Sequence, residues 1–410
     1  MNKKILKNTF FLSGSQVVAR TIGFLYFVVL ARVFSVEDFG ILAWVLGFGY
    51  NFYPLADFGI ERVVLKDVSR EPKKRGAYLA RLIPLKIILA IASVLISILL
   101  ALVLGLRGFK LFLVFVFVLS MLPYNLVFLF AAFDNAREKV ITFTISTMAV
   151  SLTSVVLGLS MFKMGFGLGG ILFGYFLSSL AVLIWFLSGE RSKKFVVKWK
   201  IDWQFNKKIL SRSWVFASFL VLAVFYLRTP LILTGIILGD HAAGIFGAAS
   251  KFIEAGILIP QSLALALFPS FSKMILKNKS RLKKEYLKNL SLLFLFSLPI
   301  GIVMFLLGKP FMGLVYGQNY LVSGEVFSLF GLVMVLFFVN SLPGNIIQTS
   351  KKPKVFLPWS AANFLVALIS GLVLIPRVGL VGGVFALLIG EVFGLIINNL
   401  FVFKILNSGK

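Results

Sequence analysis

The stretch SGSQVVARTIGFLYFVVLARVFSVEDFGILAWVLGFGYNFYPLADFGIERVVLKDVSR, residues 13–70, decides the fold. It holds two long apolar runs separated by a short acidic turn, Glu37-Asp38, which leads into Phe39-Gly40 and a second run. About 20 apolar residues in a helix cross the hydrocarbon of a bilayer. The first run therefore reads as a crossing over 9–33 and the second over 39–62. The basic start MNKKILKN resembles the head of a secretory leader, but its apolar run continues too far and no small-x-small cleavage site follows. It reads as the first helix.

The same pattern continues outward. Further crossings are expected over 80–104, 110–133, 140–162, 167–188, 212–237, 243–270, 287–308, 323–349, 355–375 and 380–404. Composition agrees. The chain is 59% hydrophobic and 14% charged, against about 25% charged in a soluble domain. A soluble fold of this length could not cover its surface with so few polar groups. The net charge of +27 does not indicate nucleic acid, because the basic residues sit in short clusters between apolar runs. With the amino terminus on the cytoplasmic side, 32 of the 42 Lys and Arg fall on that side and 6 on the other. Cytoplasmic loops attract such residues, so the split supports an even number of helices with both termini cytoplasmic. The expected fold is an all-α polytopic membrane protein of about 12 transmembrane helices in two six-helix bundles.

The longest basic connection, GERSKKFVVKWKIDWQFNKKILSR over 189–212, separates the halves. The division is an amino-terminal bundle over 1–190, a basic linker over 191–211 and a carboxy-terminal bundle over 212–410. Trp199 and Trp203 among lysines suit a segment at the lipid headgroups or a solvated linker. The halves resemble each other. VFSVEDFGILAW (33–44) corresponds to IILGDHAAGIFGA (236–248), and GFGLGGILFG (165–174) to RVGLVGGVFALLIG (377–390). The turns FDNAREKV (133–140) and QTSKKPKV (348–355) take like positions. Two tandem copies of six helices keep one orientation and make parallel repeats about an axis along the membrane normal.

Charge at the centre of a bilayer costs about 2.5–3.5 kcal/mol on insertion scales, so it is retained where a cavity, partner or ligand offsets that cost. Arg20 lies midway along the first helix and Arg228 in the seventh, comparable places in the two halves. Two cations at a shared cavity would attract a diphosphate or an acidic sugar. The alternative is an ion pair with Asp57 or Glu254, or snorkelling to headgroups. The second helix carries Asn51, Tyr53, Asp57 and Glu61, the last three spaced to share one face. Asp57 and Glu61 are candidates for ion pairing or for proton coupling. Lys251, Glu254 and Gln261 follow in the eighth helix, and Glu391 stands isolated in the twelfth. Arg20, Arg228, Lys251, Asn51 and Gln261 are the candidate substrate contacts; Asp57, Glu61, Glu254 and Glu391 are the candidate coupling or ion-pair residues. Lys86, after Pro84, reads as an interfacial anchor or a site. Asn125, Asn340, Asn345, Gln348 and Asn363 could meet sugar hydroxyls or bridge helices.

Other chemistries lack their residues. There is no cysteine and one histidine, His241, so no metal site is expected. No GxxxxGK[ST] loop for nucleotide phosphates occurs, and no cofactor is expected. A membrane glycosyltransferase or polymerase would need a sizeable aqueous loop or a carboxylate cluster.

Residues 13–70 resemble the opening of the polysaccharide-biosynthesis flippases, the O-antigen and teichuronic-type exporters. These share a superfamily with the multidrug and toxic compound extrusion (MATE) transporters and the lipid II flippases. The features that carry the resemblance are Glu37, Asp38, Phe39 and Gly40, then Phe58, Gly59 and Ile60 before a basic loop. The resemblance implies a MATE-like fold, two bundles around a central cavity, and alternating access driven by a gradient of H+ or Na+. It implies, as cargo, a polyprenyl-diphosphate-linked oligosaccharide moved from the cytoplasmic to the outer leaflet of the cell membrane. Arg20, Arg228 and Lys251 would face its diphosphate. Membrane lipids and the glycosyltransferases and polymerase of the same pathway are the implied partners, with no nucleic acid. A small-molecule exporter of the same superfamily is the alternative. Lipid II flippases usually have fourteen helices, more than this chain accommodates.

Overall fold

A computed structural model describes residues 3–137, 140–188, 199–277, 279–349 and 353–407. Every long element among them is a helix. In order these are α1 (Lys3–Val33), α2 (Val36–Tyr50), α3 (Tyr53–Asp57), α4 (Ile60–Arg70), α5 (Arg75–Val103), α6 (Gly108–Leu119), α7 (Met121–Asn135) and α8 (Val140–Met161). They continue as α9 (Gly167–Ser188), α10 (Trp203–Ile237), α11 (Asp240–Gly256), α12 (Leu258–Lys277), α13 (Lys279–Tyr316), α14 (Ser323–Thr349), α15 (Leu357–Val378) and α16 (Leu380–Asn407). Among the described residues, eleven helical stretches are long and apolar enough to cross a membrane. Rows of large apolar side chains stay exposed, among them Leu95, Leu99 and Val103 on α5 and Leu295 and Leu306 on α13. Such contiguous apolar surface is untenable in water and matches lipid. The protein is an all-α, multi-pass membrane protein.

Three expected crossings differ in detail. The second, read as one helix over 39–62, is broken twice. Asn51 and Phe52 make a turn, and Pro54, which has no N–H to donate, opens the short α3. Phe58 and Gly59 then take left-handed backbone angles, φ 51° and 70°. The Asp57 carboxylate steadies this second break by accepting the Gly59 amide at 3.0 Å. Beyond it, α4 turns amphipathic. Ile60, Val63, Val64 and Val68 pack into the core with α5 and α7, while Arg62, Lys66 and Arg70 stay outside. The fourth crossing is interrupted at Ser120, between α6 and α7. The eighth, read over 243–270, is interrupted at Ile257, between α11 and α12.

The chain forms two compact units, Met1–Phe27 with Val45–Val221, and Val28–Trp44 with Leu222–Lys410. In the first, α7 packs against α4, α5, α8 and α9. In the second, α14 packs against α11, α12, α13 and α16, and α15 against α16. Residues 28–44 join the second unit through close backbone contact. A Cβ at Gly40 would run into the Asp240 carbonyl, and one at Gly244 into the Val36 carbonyl. In the paired segments 33–44 and 236–248, Gly40 corresponds to Gly244 and Val36 to Asp240. The contact is thus reciprocal, as a local two-fold relation requires. The other repeated segment behaves alike. Gly167, after α8, has φ 54° and ψ −141°, and Gly379, after α15, has φ 65° and ψ −142°. Only glycine takes that conformation readily.

The basic linker is described from Trp199 on; residues 189–198 lie outside the described residues, as do parts of the turns 133–140 and 348–355. Trp199 and Trp203 are 66% and 71% exposed. Between them Asp202 caps α10 by accepting the Phe205 amide at 3.0 Å and pairs with Arg81 at 3.2 Å.

Candidate functional site

Among the described residues, three clusters of polar groups inside the apolar helices hold the candidate residues. The first belongs to the first unit and centres on Lys86, a fully buried side chain of α5. Its ammonium donates to Asp57 Oδ1 at 2.5 Å and to Asn125 Oδ1 at 3.2 Å, and Glu61 Oε1 lies at 3.9 Å. The break after α3 places Asp57, and the start of α4 places Glu61, beside the same lysine. One cation thus faces two carboxylates, a surplus of one negative charge when all three are ionised. Asn51 is fully buried nearby in sequence, and neither of its amide atoms has a partner among the described residues.

The second cluster belongs to the second unit. Arg228 of α10 donates to Glu254 Oε1 at 3.2 Å, and Lys251 donates to Glu254 Oε2 at 2.7 Å. Lys251 and Glu254 stand three residues apart on α11, which puts them on one face. Here two cations share one carboxylate. Arg228 and Glu254 also line a small pocket with Phe246, Phe330 and Leu387.

The third cluster, also in the second unit, surrounds Glu391 of α16, 4% exposed. Tyr226 O–H donates to Oε1 at 2.7 Å, and Asn340 Nδ2 donates to Oε2 at 2.6 Å and to the Glu391 carbonyl at 2.9 Å. Both partners of the carboxylate are neutral. Asn340 Oδ1 and Asn363 Oδ1 are buried without a donor among the described residues. Gly390 and Gly394, one turn apart on α16, make room for Tyr226 and Asn363.

The structure therefore brings Asp57 together with Glu61, and Arg228 with Lys251 and Glu254. Arg20 is exposed on α1 of the first unit, where it acts electrostatically on Tyr124. Gln261 is exposed on α12. The side chains of Asn345 and Gln348 lie outside the described residues. Among the described residues no group of three His, Cys, Asp or Glu could hold a metal. Sequence reasoning left Lys86 between two readings and passed over Tyr226. The signal available for Lys86 was the closeness of Asp57 and Glu61 in an apolar run, since two carboxylates there call for a cation from another helix.

A family profile described as "Polysaccharide biosynthesis protein" matches residues 5–275. A curated relative from Shigella flexneri, described as "Putative O-antigen transporter", is 27% identical over 154 residues. That alignment covers 37% of this chain and 36% of the relative's length, so the chain matches about a third of that protein. Solved structures agree in fold. An inward-facing multidrug resistance transporter of the MATE family and MOP superfamily has a TM-score of 0.75 at 13% identity, over 96% of this chain and 100% of that one. The lipid II flippase MurJ in an inward closed conformation has a TM-score of 0.71 at 15% identity, over 96% of this chain and 88% of that one. The fold is the MATE-like transporter fold.

Proposed function

The chain belongs to the polysaccharide biosynthesis protein family, and from that premise we propose that it is a flippase for a polyprenyl-diphosphate-linked oligosaccharide. The cargo passes from the cytoplasmic to the outer leaflet of the cell membrane by alternating access, and no covalent chemistry is involved. The observation that carries the reading is the Arg228–Lys251–Glu254 cluster, where two cationic side chains gather inside apolar helices, chemistry that suits an anionic diphosphate. Arg20 is a further candidate contact for the cargo. Asn51 and Gln261 complete the candidate substrate contacts, and the isoprenoid tail stays in lipid.

Coupling is assigned to the acidic clusters. Glu391, with neutral partners only, takes up H+ or Na+; Asp57 and Glu61 compete for Lys86 and form a second coupling element. The topology proposed with this function has twelve crossings, because the 48-residue apolar stretch Ile141–Ser188 consists of two helices parted at Gly165–Gly167. Both termini are then cytoplasmic, and the repeats are 1–190 and 212–410 with the basic linker 191–211 between them. The glycosyltransferases and polymerase of the same pathway are the proposed partners.

A second reading, a cation-coupled exporter of small molecules, is favoured by the likeness in fold to the multidrug transporter. Proteoliposomes separate the two. Wild type should flip a fluorescent polyprenyl-diphosphate oligosaccharide and leave a cationic dye in place, and Arg20→Ala or Arg228→Ala should slow the flipping. Dye efflux without flipping would establish the second reading. Flipping that persists in both folded arginine variants would keep the function and remove the arginines from it.

A further inference from the structure

Ten tyrosines stand against 45 phenylalanines in this chain, so phenylalanine is its ordinary apolar filler. Five of the ten tyrosines nevertheless meet in one continuous run of rings in the first unit. Tyr26 of α1 contacts Tyr175 of α9 with ring centroids 6.5 Å apart, and Tyr175 meets Phe117 edge to face at 5.4 Å. Phe117 meets Tyr50 at 5.1 Å, and Tyr50 meets Tyr53 at 5.2 Å. Tyr53 meets Tyr124 of α7 edge to face at 4.8 Å. Five helices contribute a tyrosine each.

A hydroxyl inside an apolar region is costly unless it finds a partner. Tyr53 has one, Ser120 Oγ at 2.6 Å. Tyr26 is buried and its hydroxyl has none among the described residues. Two amides adjoin the run in sequence, and they too are incompletely satisfied: both polar atoms of Asn51, and Nδ2 of Asn125. Tyr50, Tyr53, Tyr124 and Tyr175 remain half-buried, so their rings are not sealed into the core. Charged groups stand beside the run, since Arg20, Asp57 and Glu61 all act electrostatically on Tyr124. What the run itself offers is neutral: rigid ring faces, hydroxyls and amides.

We propose that this tyrosine run is the surface that reads the sugar of the cargo, an inference that rests on the flippase reading above. A pyranose ring has one face rich in C–H groups and a rim of hydroxyls. The flat side of a tyrosine covers the first, and tyrosine hydroxyls and asparagine amides answer the second. Tyrosine does this with little loss of side-chain freedom, since two torsions fix it.

The test is binding of two fluorescent lipids to the full-length protein in detergent, a polyprenyl-diphosphate trisaccharide of neutral hexoses and the same polyprenyl diphosphate without sugar. Wild type should prefer the sugar-bearing lipid. Tyr124→Phe and Tyr175→Phe keep the packing and remove one hydroxyl each. Each should weaken the sugar-bearing lipid by about fivefold and leave the bare lipid unchanged. Tyr124→Leu, which removes the ring, should bring the two lipids closer to equal affinity. Variants that bind both lipids as wild type does, or that lose both equally while still folded, would overturn the tyrosine assignment alone. A folded wild type that binds neither lipid would overturn the flippase reading and the assignment with it.

Discussion

Lys86 is the residue on which the first unit's polar interior turns. Its ammonium has no exposed surface and faces both Asp57 and Glu61. Removing one partner of a buried ion pair strands the other, at a cost of about 3–5 kcal/mol. Lys86→Met should therefore lower the melting temperature of the detergent-solubilised protein sharply, and adding Asp57→Asn and Glu61→Gln should restore most of the loss. No recovery in the triple variant would mean that the lysine acts through packing. Glu391 carries the opposite expectation. In Glu391→Gln the side-chain amide can still accept from Tyr226 and can donate to Asn340 Oδ1 once that amide turns over. Stability should change by about 1 kcal/mol or less, while flipping should lose its dependence on the ion gradient. Thermal unfolding and gradient-dependent flipping, measured on the same preparation, check both halves. The spacing of Asp57 and Glu61 pointed to one helical face, whereas the break at Phe58 and Gly59 sets them on two helices, α3 and α4, that converge on one lysine. Their lysine was not legible, because pairing across helices depends on a register that spacing within one segment does not encode. Nor did Glu391, isolated in sequence, disclose that Tyr226 and Asn340 converge on it from two other helices.

At the scale of elements, apolar length located the helices, because a crossing requires about 20 apolar residues whatever its neighbours do. The interruptions were harder to see. Pro54 and Gly59 stood in plain view, yet the apolar run continued across them, and hydropathy does not register a change of backbone angle. The repeat was legible in part. The match of VFSVEDFG to IILGDHAAG gave the correspondence, and the structure adds that the two segments touch through their glycines. Gly40→Val and Gly244→Val should each destabilise the second unit by about 1–3 kcal/mol, because the new side chain meets a carbonyl and not a flexible neighbour. Gly23→Val, at a position where nothing lies within 4 Å of the added carbon, is the control and should leave the melting temperature near that of wild type. Equal melting temperatures for all three would refute the contact. Arg32 supports the same unit by donating to the Val315 and Leu314 carbonyls at 2.9 and 2.6 Å, where α13 ends and its last carbonyls lack helical partners.

For the whole molecule, the basic residues carry the topological prediction. The chain has no cysteine, so single cysteines report cleanly. In sealed right-side-out vesicles, Arg107→Cys should react with an impermeant maleimide from outside and Lys74→Cys only after the membrane is opened. The reverse pattern would invert the proposed orientation, and labelling of both from one side would refute the helix count between them. Family and fold were accessible from residues 13–70 and from the length of the apolar runs. The cargo was not, because its recognition is spread over side chains that meet only after folding. The most direct test of the central claim is flipping itself. A fluorescent polyprenyl-diphosphate oligosaccharide is placed in both leaflets of proteoliposomes, an ion gradient is imposed, and the fraction reached by an impermeant quencher is followed in time. The account predicts gradient-dependent redistribution with wild type and none in empty liposomes. The same time course with and without protein, from verified folded material, would contradict it.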